Sequence, residues 1–192
     1  MKRQSGYTLI EVMMALTVLA IGAAGIFALQ SVAIRGNSDA QDITAATNVA
    51  RWWIELIKTD AVQWNFPGPT PANDQNDTQY LAGQNPPTGN WVTLAQPAPA
   101  VGILPMTRDG RFAANGDFCA HARFQTPTPA AVGVPQAPGI EVTVRVWWFK
   151  GGFHNAAVYP NCGAGQEALM TPNLIRFHWV YLTTLVTPHD QS

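Results

Sequence analysis

Hydrophobic and polar positions follow three different rules along this chain. Residues 7–29 carry one charge, Glu11, and residues 12–29 form an 18-residue run without any charge in which Thr17 is the most polar. At 1.5 Å per residue such a run is about 27 Å long, close to the roughly 30 Å hydrocarbon layer of a bilayer. This segment is long enough to span a membrane. The second rule starts at Ile43: Ile43, Ala46, Ala50, Trp53 and Ile57 recur every three to four residues, and Arg35, Asp39, Asp42, Arg51, Glu55 and Lys58 take polar positions, the period of an amphipathic helix. Both stretches are read as one helix over residues 7–62, with residues 7–30 as the membrane-spanning part and Pro67 as the latest stop. The third rule has period two. Ile140, Val142, Val144, Val146 and Trp148 alternate with Glu141, Thr143, Arg145, Trp147 and Phe149. In residues 174–186, Ile175, Phe177, Trp179, Tyr181 and Leu185 share one face, while Arg176, His178 and Thr184 lie on the other. These two strands are expected to pair antiparallel, with shorter strands at 91–94 and 117–124. The expected fold is α+β: a long N-terminal helix packed on an antiparallel sheet, with a globular β-rich domain over residues 63–192.

Composition divides the chain in the same place. All fifteen prolines lie at Pro67 or later, eight of them within residues 65–105, so long regular elements are excluded there and again around 127–138. The length of 192 residues suits one domain and an appendage. A formal charge of -1, with 12% charged residues, excludes a strongly basic nucleic-acid binder and a charge-driven disordered chain. Without Lys2 and Arg3 the remaining chain has nine basic and twelve acidic side chains, so no nucleic-acid partner is expected.

Glu11 needs a physical explanation. An acid in the apolar layer costs about 2.5–3.5 kcal/mol on insertion scales unless it has a partner. A secretory signal peptide has an apolar region of about 7–15 residues and a small-x-small cleavage site, and accounts neither for this length nor for the carboxylate. A simple one-helix anchor leaves the acid equally unexplained. Lys2 and Arg3 precede the apolar run, which holds the N-terminus in the cytoplasm and sends residue 30 onward outside.

The stretch Gly6-Tyr7-Thr8-Leu9-Ile10-Glu11-Val12, with its basic leader and long apolar helix, resembles the class III signal of type IV pilins and pseudopilins. That resemblance implies that residues 1–6 are a leader cut by prepilin peptidase between Gly6 and Tyr7, that the new amine of Tyr7 is methylated, and that the helix is retained. Tyr7 stands where the family usually has Phe. The resemblance also implies that Glu11 pairs with the N-terminal amine of a neighbouring subunit, so that the carboxylate gains its partner on assembly. Residues 11–16, Ala20-Ile21-Gly22 and Leu29-Gln30 look most like the PilV-type pilus modification proteins, a similarity covering about the first thirty residues. It implies a minor pilin acting in pilus initiation at the tip complex, held in the bacterial inner membrane before assembly and in the extracellular pilus afterwards. Its partners would be other minor and major pilins, the inner-membrane assembly platform and a pilus tip adhesin. A type II secretion pseudopilin shares the same signal, and a pilus-displayed adhesin or ligand-binding module is a third reading. Gly22 and Gly25 lie where helices of this family lose regular structure in filaments, or they serve close helix packing as small-xxx-small surfaces do; Gly36 is a further weak point.

Cys119 and Cys162 lack metal-ligand spacing, and outside the cytoplasm their oxidation is permitted. A disulfide between them agrees with the pilin resemblance; two buried free thiols are the competing reading. No cofactor is expected, and no metal site: His121, His154 and His178 lack close ligand spacing. Asp74-Gln75-Asn76-Asp77 resembles part of a calcium loop but lacks its glycine turn and terminal Glu, and a solvated turn explains it. Asp109-Gly110 reads as a hairpin turn. Absence of GxSxG, P-loop and GxGxxG motifs disfavours an enzyme, and no catalytic residue is assigned. Trp64, Trp91, Trp147 and Trp148 are candidate contact residues, with a core role expected for at least half of them.

Overall fold

A computed structural model of the chain describes residues 8–66, 75, 78–84, 87–94, 105–113, 116–127, 139–150, 162 and 175–190. The cleavage residues Gly6 and Tyr7, the leader, His154, most of the acidic stretch at 74–77 and most of the proline-rich connection at 127–138 lie outside the described residues. The chain divides into two compact units, residues 1–42 and 43–192.

Helix α1, Leu9–Ala61, contributes to both units and is 53 residues long. It begins after Thr8, whose carbonyl accepts the amides of Glu11 (3.1 Å) and Val12 (3.3 Å). At its end the last turn tightens: Val62, Gln63 and Trp64 donate to the carbonyls of Thr59, Asp60 and Ala61, satisfying carbonyls that a helix end leaves open. Lys58 stands in this last turn, where a cation complements the helix dipole. The helix runs unbroken through Gly22, Gly25 and Gly36, and a methyl group added to any of the three would meet nothing within 4 Å. In the first unit its large apolar side chains, from Leu9 to Ile34, stay exposed.

In the second unit Ala45, Ala46, Val49, Ala50, Trp53, Ile54, Ile57 and Ala61 form the buried face of α1. The stripe was expected to start at Ile43; that residue is exposed, and the buried cluster begins at Ala45. The helix face packs on a four-stranded antiparallel sheet in the order β2-β3-β4-β5, with β2 at Trp91–Thr93, β3 at Cys119–Gln125, β4 at Ile140–Phe149 and β5 at Phe177–Val186. A separate two-residue parallel pair joins β1, Asn65–Phe66, to β6, His189–Asp190. Ala120, Ala122 and Phe124 of β3, the even-numbered residues of β4 from Ile140 to Trp148, and Val180, Leu182 and Val186 of β5 meet the helix in one core.

Two strand expectations need correction. The second strand begins at Cys119 instead of 117, because Asp117 and Phe118 give their amides to the Met106 carbonyl, at 3.0 Å each, and Phe118 forms an isolated bridge with Met106. β5 begins at Phe177 where a start at 174 was expected, and its residues Phe177, Trp179, Tyr181 and Leu185 share a face as expected, the one turned from the helix. Val146 pairs with Val180 and Trp147 with Trp179, so the valine face of β4 dictates which side of β5 joins the core. Tyr181 and Leu185 are consequently exposed.

Two loops are tied to this core. The Asp60 carboxylate accepts the amides of Gln79 and Tyr80, each at 2.8 Å, and Gln75 Nε2 donates to the Leu81 carbonyl, which seats fully buried Leu81 beside the helix. Asp109-Gly110 forms the expected hairpin turn: Met106 bridges Phe112, the Gly110 amide donates to Thr107, and Gly110 has a φ of 80°, a left-handed conformation that suits glycine.

Candidate assembly segment and the far face of the sheet

Glu11 lies in the first turn of α1, three residues after Thr8. A carboxylate there is favoured by the helix dipole, worth about 0.3–1 kcal/mol, which falls short of the roughly 2.5–3.5 kcal/mol needed to place it in the apolar layer. Among the described residues Glu11 has neither an ion pair nor a side-chain hydrogen bond. Around and beyond it Leu9, Ile10, Val12, Met13, Met14, Leu16, Val18, Leu19 and Ile21 are exposed, and no part of the most apolar 18-residue window of the helix is buried. By length and composition this helix can cross a membrane. The segment therefore leaves two demands unmet within one chain: cover for an apolar rod and a counter-charge for its leading acid.

The structure joins Cys119 to Cys162 by a disulfide, with Cα atoms 5.3 Å apart. Trp147 and Phe177 are buried around the bridge, with Phe149 and Trp179 packed against them. This cluster sits on the face of the sheet turned from the helix. Next to it, Arg145 Nη2 donates to His121 Nδ1 at 2.9 Å, so Nδ1 is the acceptor and the Nε2 hydrogen goes to the Cys162 carbonyl at 3.0 Å. His121 is thus a neutral linker between a guanidinium and the disulfide segment, which removes it as a metal ligand. Among the described residues no group of three His, Cys, Asp or Glu side chains can hold a metal ion. The Arg145 and Arg123 guanidinium carbons lie 4.1 and 5.0 Å from the centre of the Trp91 ring, and Tyr181 flanks the same ring at 6.0 Å. Desolvated cation–π contacts of this kind are worth about 2 kcal/mol.

Two of the four candidate tryptophans have the core role expected for at least half of them. Trp147 and Trp148 are buried, Trp147 beside the disulfide and Trp148 in the helix-facing core, because β4 is covered on both faces. Trp64 and Trp91 are half-buried. The exposed ring is that of Trp52, which was not among the expected contact residues. Its signal was its phase: the stripe through Ala46, Ala50, Trp53 and Ile57 turns Trp53 inward and leaves Trp52 at the margin. Arg145 was visible only as a polar position in an alternating strand, and nothing local marked it as buried.

Residues 1–27 match the family model for the prokaryotic N-terminal methylation motif. In comparisons with curated proteins and with solved structures nothing matches. The match marks the start of this chain as that of a type IV pilin-like or pseudopilin precursor, and the fold is pilin-like, a long N-terminal helix on an antiparallel sheet. A motif of this type implies processing by prepilin peptidase and assembly with other pilin-like subunits, and proteins that carry it are generally structural.

Proposed function

We propose that the chain is a minor type IV pilin of the PilV type. Prepilin peptidase cuts it after Gly6 and methylates Tyr7. It then waits in the inner membrane with its N-terminus in the cytoplasm, and the assembly platform moves it into the tip complex that initiates a pilus. The observation that carries this reading is Glu11, a carboxylate without a partner among the described residues in the first turn of an exposed apolar helix. A neighbour's N-terminal amine would neutralise it where water is excluded, and neighbouring helices would cover the rod. The disulfide suits a domain that must persist outside the cell.

The test is Glu11→Ala in the native host. The variant is expected in the membrane fraction but not in sheared filaments; incorporation at the wild-type level contradicts the role given to this acid. Gly6→Trp is expected to leave the precursor uncut on a gel. Deleting the gene separates pilus from secretion machinery: loss of surface pili supports the pilin reading, whereas intact pili with blocked protein export transfers the chain to a type II secretion pseudopilus.

A further inference from the structure

A cleft of about 380 Å³ opens within the second unit, between α1 and the turn at residues 107–111. Ala45, Asn48, Val49 and Trp52 line it from the helix; Met106, Arg108, Asp109 and Gly110 line it from the turn. Its size falls at the lower end of the range of small-molecule sites, roughly 300–1,000 Å³.

Three features make this more than a surface dent. Trp52 is 40% exposed while its neighbour Trp53 is fully buried, so the core is filled without it. T-shaped contacts at 4.8 Å to Trp53 and 5.7 Å to Phe112 fix the Trp52 ring beside the cleft. The facing turn is braced as well: the Thr107 amide donates to the Arg111 carbonyl at 2.8 Å, the Gly110 amide to Thr107 at 3.0 Å, and the Arg111 amide to the Thr107 hydroxyl at 3.2 Å. Asp109 is held by the Thr107 hydroxyl and by Arg111 Nε at 3.1 Å. Those contacts, the Thr107 hydrogen bond first and then its own backbone amide and Arg111, keep the Asp109 carboxyl below the usual carboxylate range, so it remains an acceptor.

The lining selects among ligand classes. Arg108 and Asp109 put opposite charges side by side on the rim, so the cleft has no net charge with which to select a simple cation or anion. A purely apolar ligand would strip water from Asn48 and from both charges without replacing their hydrogen bonds. Such a lining suits a molecule without net charge that has an apolar face for an indole ring and hydroxyls around its rim. We propose that this cleft binds a neutral saccharide, with Trp52 as the stacking platform and Asn48, Arg108 and Asp109 as hydroxyl partners. This goes beyond the pilin reading and does not depend on it.

The test uses the full purified chain in micelles of a sugar-free detergent, followed by saturation-transfer NMR. The probes are lactose, maltose, cellobiose and N,N′-diacetylchitobiose, with glucosamine and glucuronic acid as charged controls. At least one neutral disaccharide is expected to bind with a millimolar Kd, and Trp52→Ala is expected to weaken it about tenfold or more. Asn48→Arg, a change at an exposed helix position that fills the cleft, is expected to abolish binding and decides the matter if Trp52→Ala unfolds. The proposal is overturned if none of the four disaccharides binds, if only a charged control binds, or if folded Trp52→Ala and Asn48→Arg both bind like wild type.

Discussion

Residues 9–42 and residues 43–61 share one helix and one hydrogen-bond pattern, yet the first stretch leaves Leu19, Phe27 and Leu29 exposed while the second buries Trp53 and Ile57 completely. The backbone does not make this difference. In the second stretch apolar residues return every three to four positions, so one face satisfies a sheet and the other keeps Arg51, Glu55 and Lys58 in water. In the first they occur on every side, and no single face against one domain can hide them. The two stretches therefore draw stability from different sources: the domain's own sheet in one case, lipid or neighbouring rods in the other.

The sharpest contrast comes from truncating one large side chain in each stretch. Trp53→Ala should destabilise the domain by about 3–5 kcal/mol, a large share of ordinary domain stability, and lower the midpoint of thermal unfolding. Phe27→Ala, at an exposed position, should leave that unfolding transition within about 0.5 kcal/mol of wild type. Equal effects would mean that the two stretches do not differ as described. The paired change Cys119→Ser with Cys162→Ser should cost about 4 kcal/mol in the chain-entropy picture, read by chemical denaturation, and should leave membrane insertion unaltered.

Gly116→Ala tests how tightly the domain is packed. An added methyl would lie 2.7 Å from the Met106 carbonyl carbon and oxygen, so a loss of about 1–3 kcal/mol is expected. Alanine at Gly22 meets no neighbour and should leave the domain unchanged. The effect at Tyr80 is confined to alkaline pH. Its phenol is pushed up to about 12, first by desolvation and then by the Asp60 carboxylate. The folded state therefore holds this proton more tightly than the unfolded chain, whose tyrosines titrate near about 10. Stability from this source is complete below about pH 10 and is lost as the pH rises to about 12. Tyr80→Phe should flatten that alkaline fall and change little near neutrality, because the buried hydroxyl has no hydrogen-bond partner among the described residues.

The helix was legible because its signals are local: an uncharged run, a 3.6-residue period and a first proline at Pro67. β4 was equally plain, and its bounds at Ile140–Phe149 match the alternation. The orientation of β5 was not, since both faces of residues 177–186 carry large apolar groups and only the register against β4 decides between them. The same holds for the far face of the sheet. Arg145 becomes buried because Trp91, His121 and the Cys162 segment, distant in sequence, converge on it. Nothing local marked Asp60, inside the helix expected over residues 7–62, as the anchor of the backbone at Gln79 and Tyr80.

Whether Glu11 and its apolar rod serve assembly is decided most directly by the N-terminus of the protein recovered from sheared filaments, read by intact mass and peptide sequencing. The expected chain starts with N-methylated Tyr7 and keeps every residue of α1. A mature chain starting beyond Gln30, released without its apolar stretch, would contradict that role.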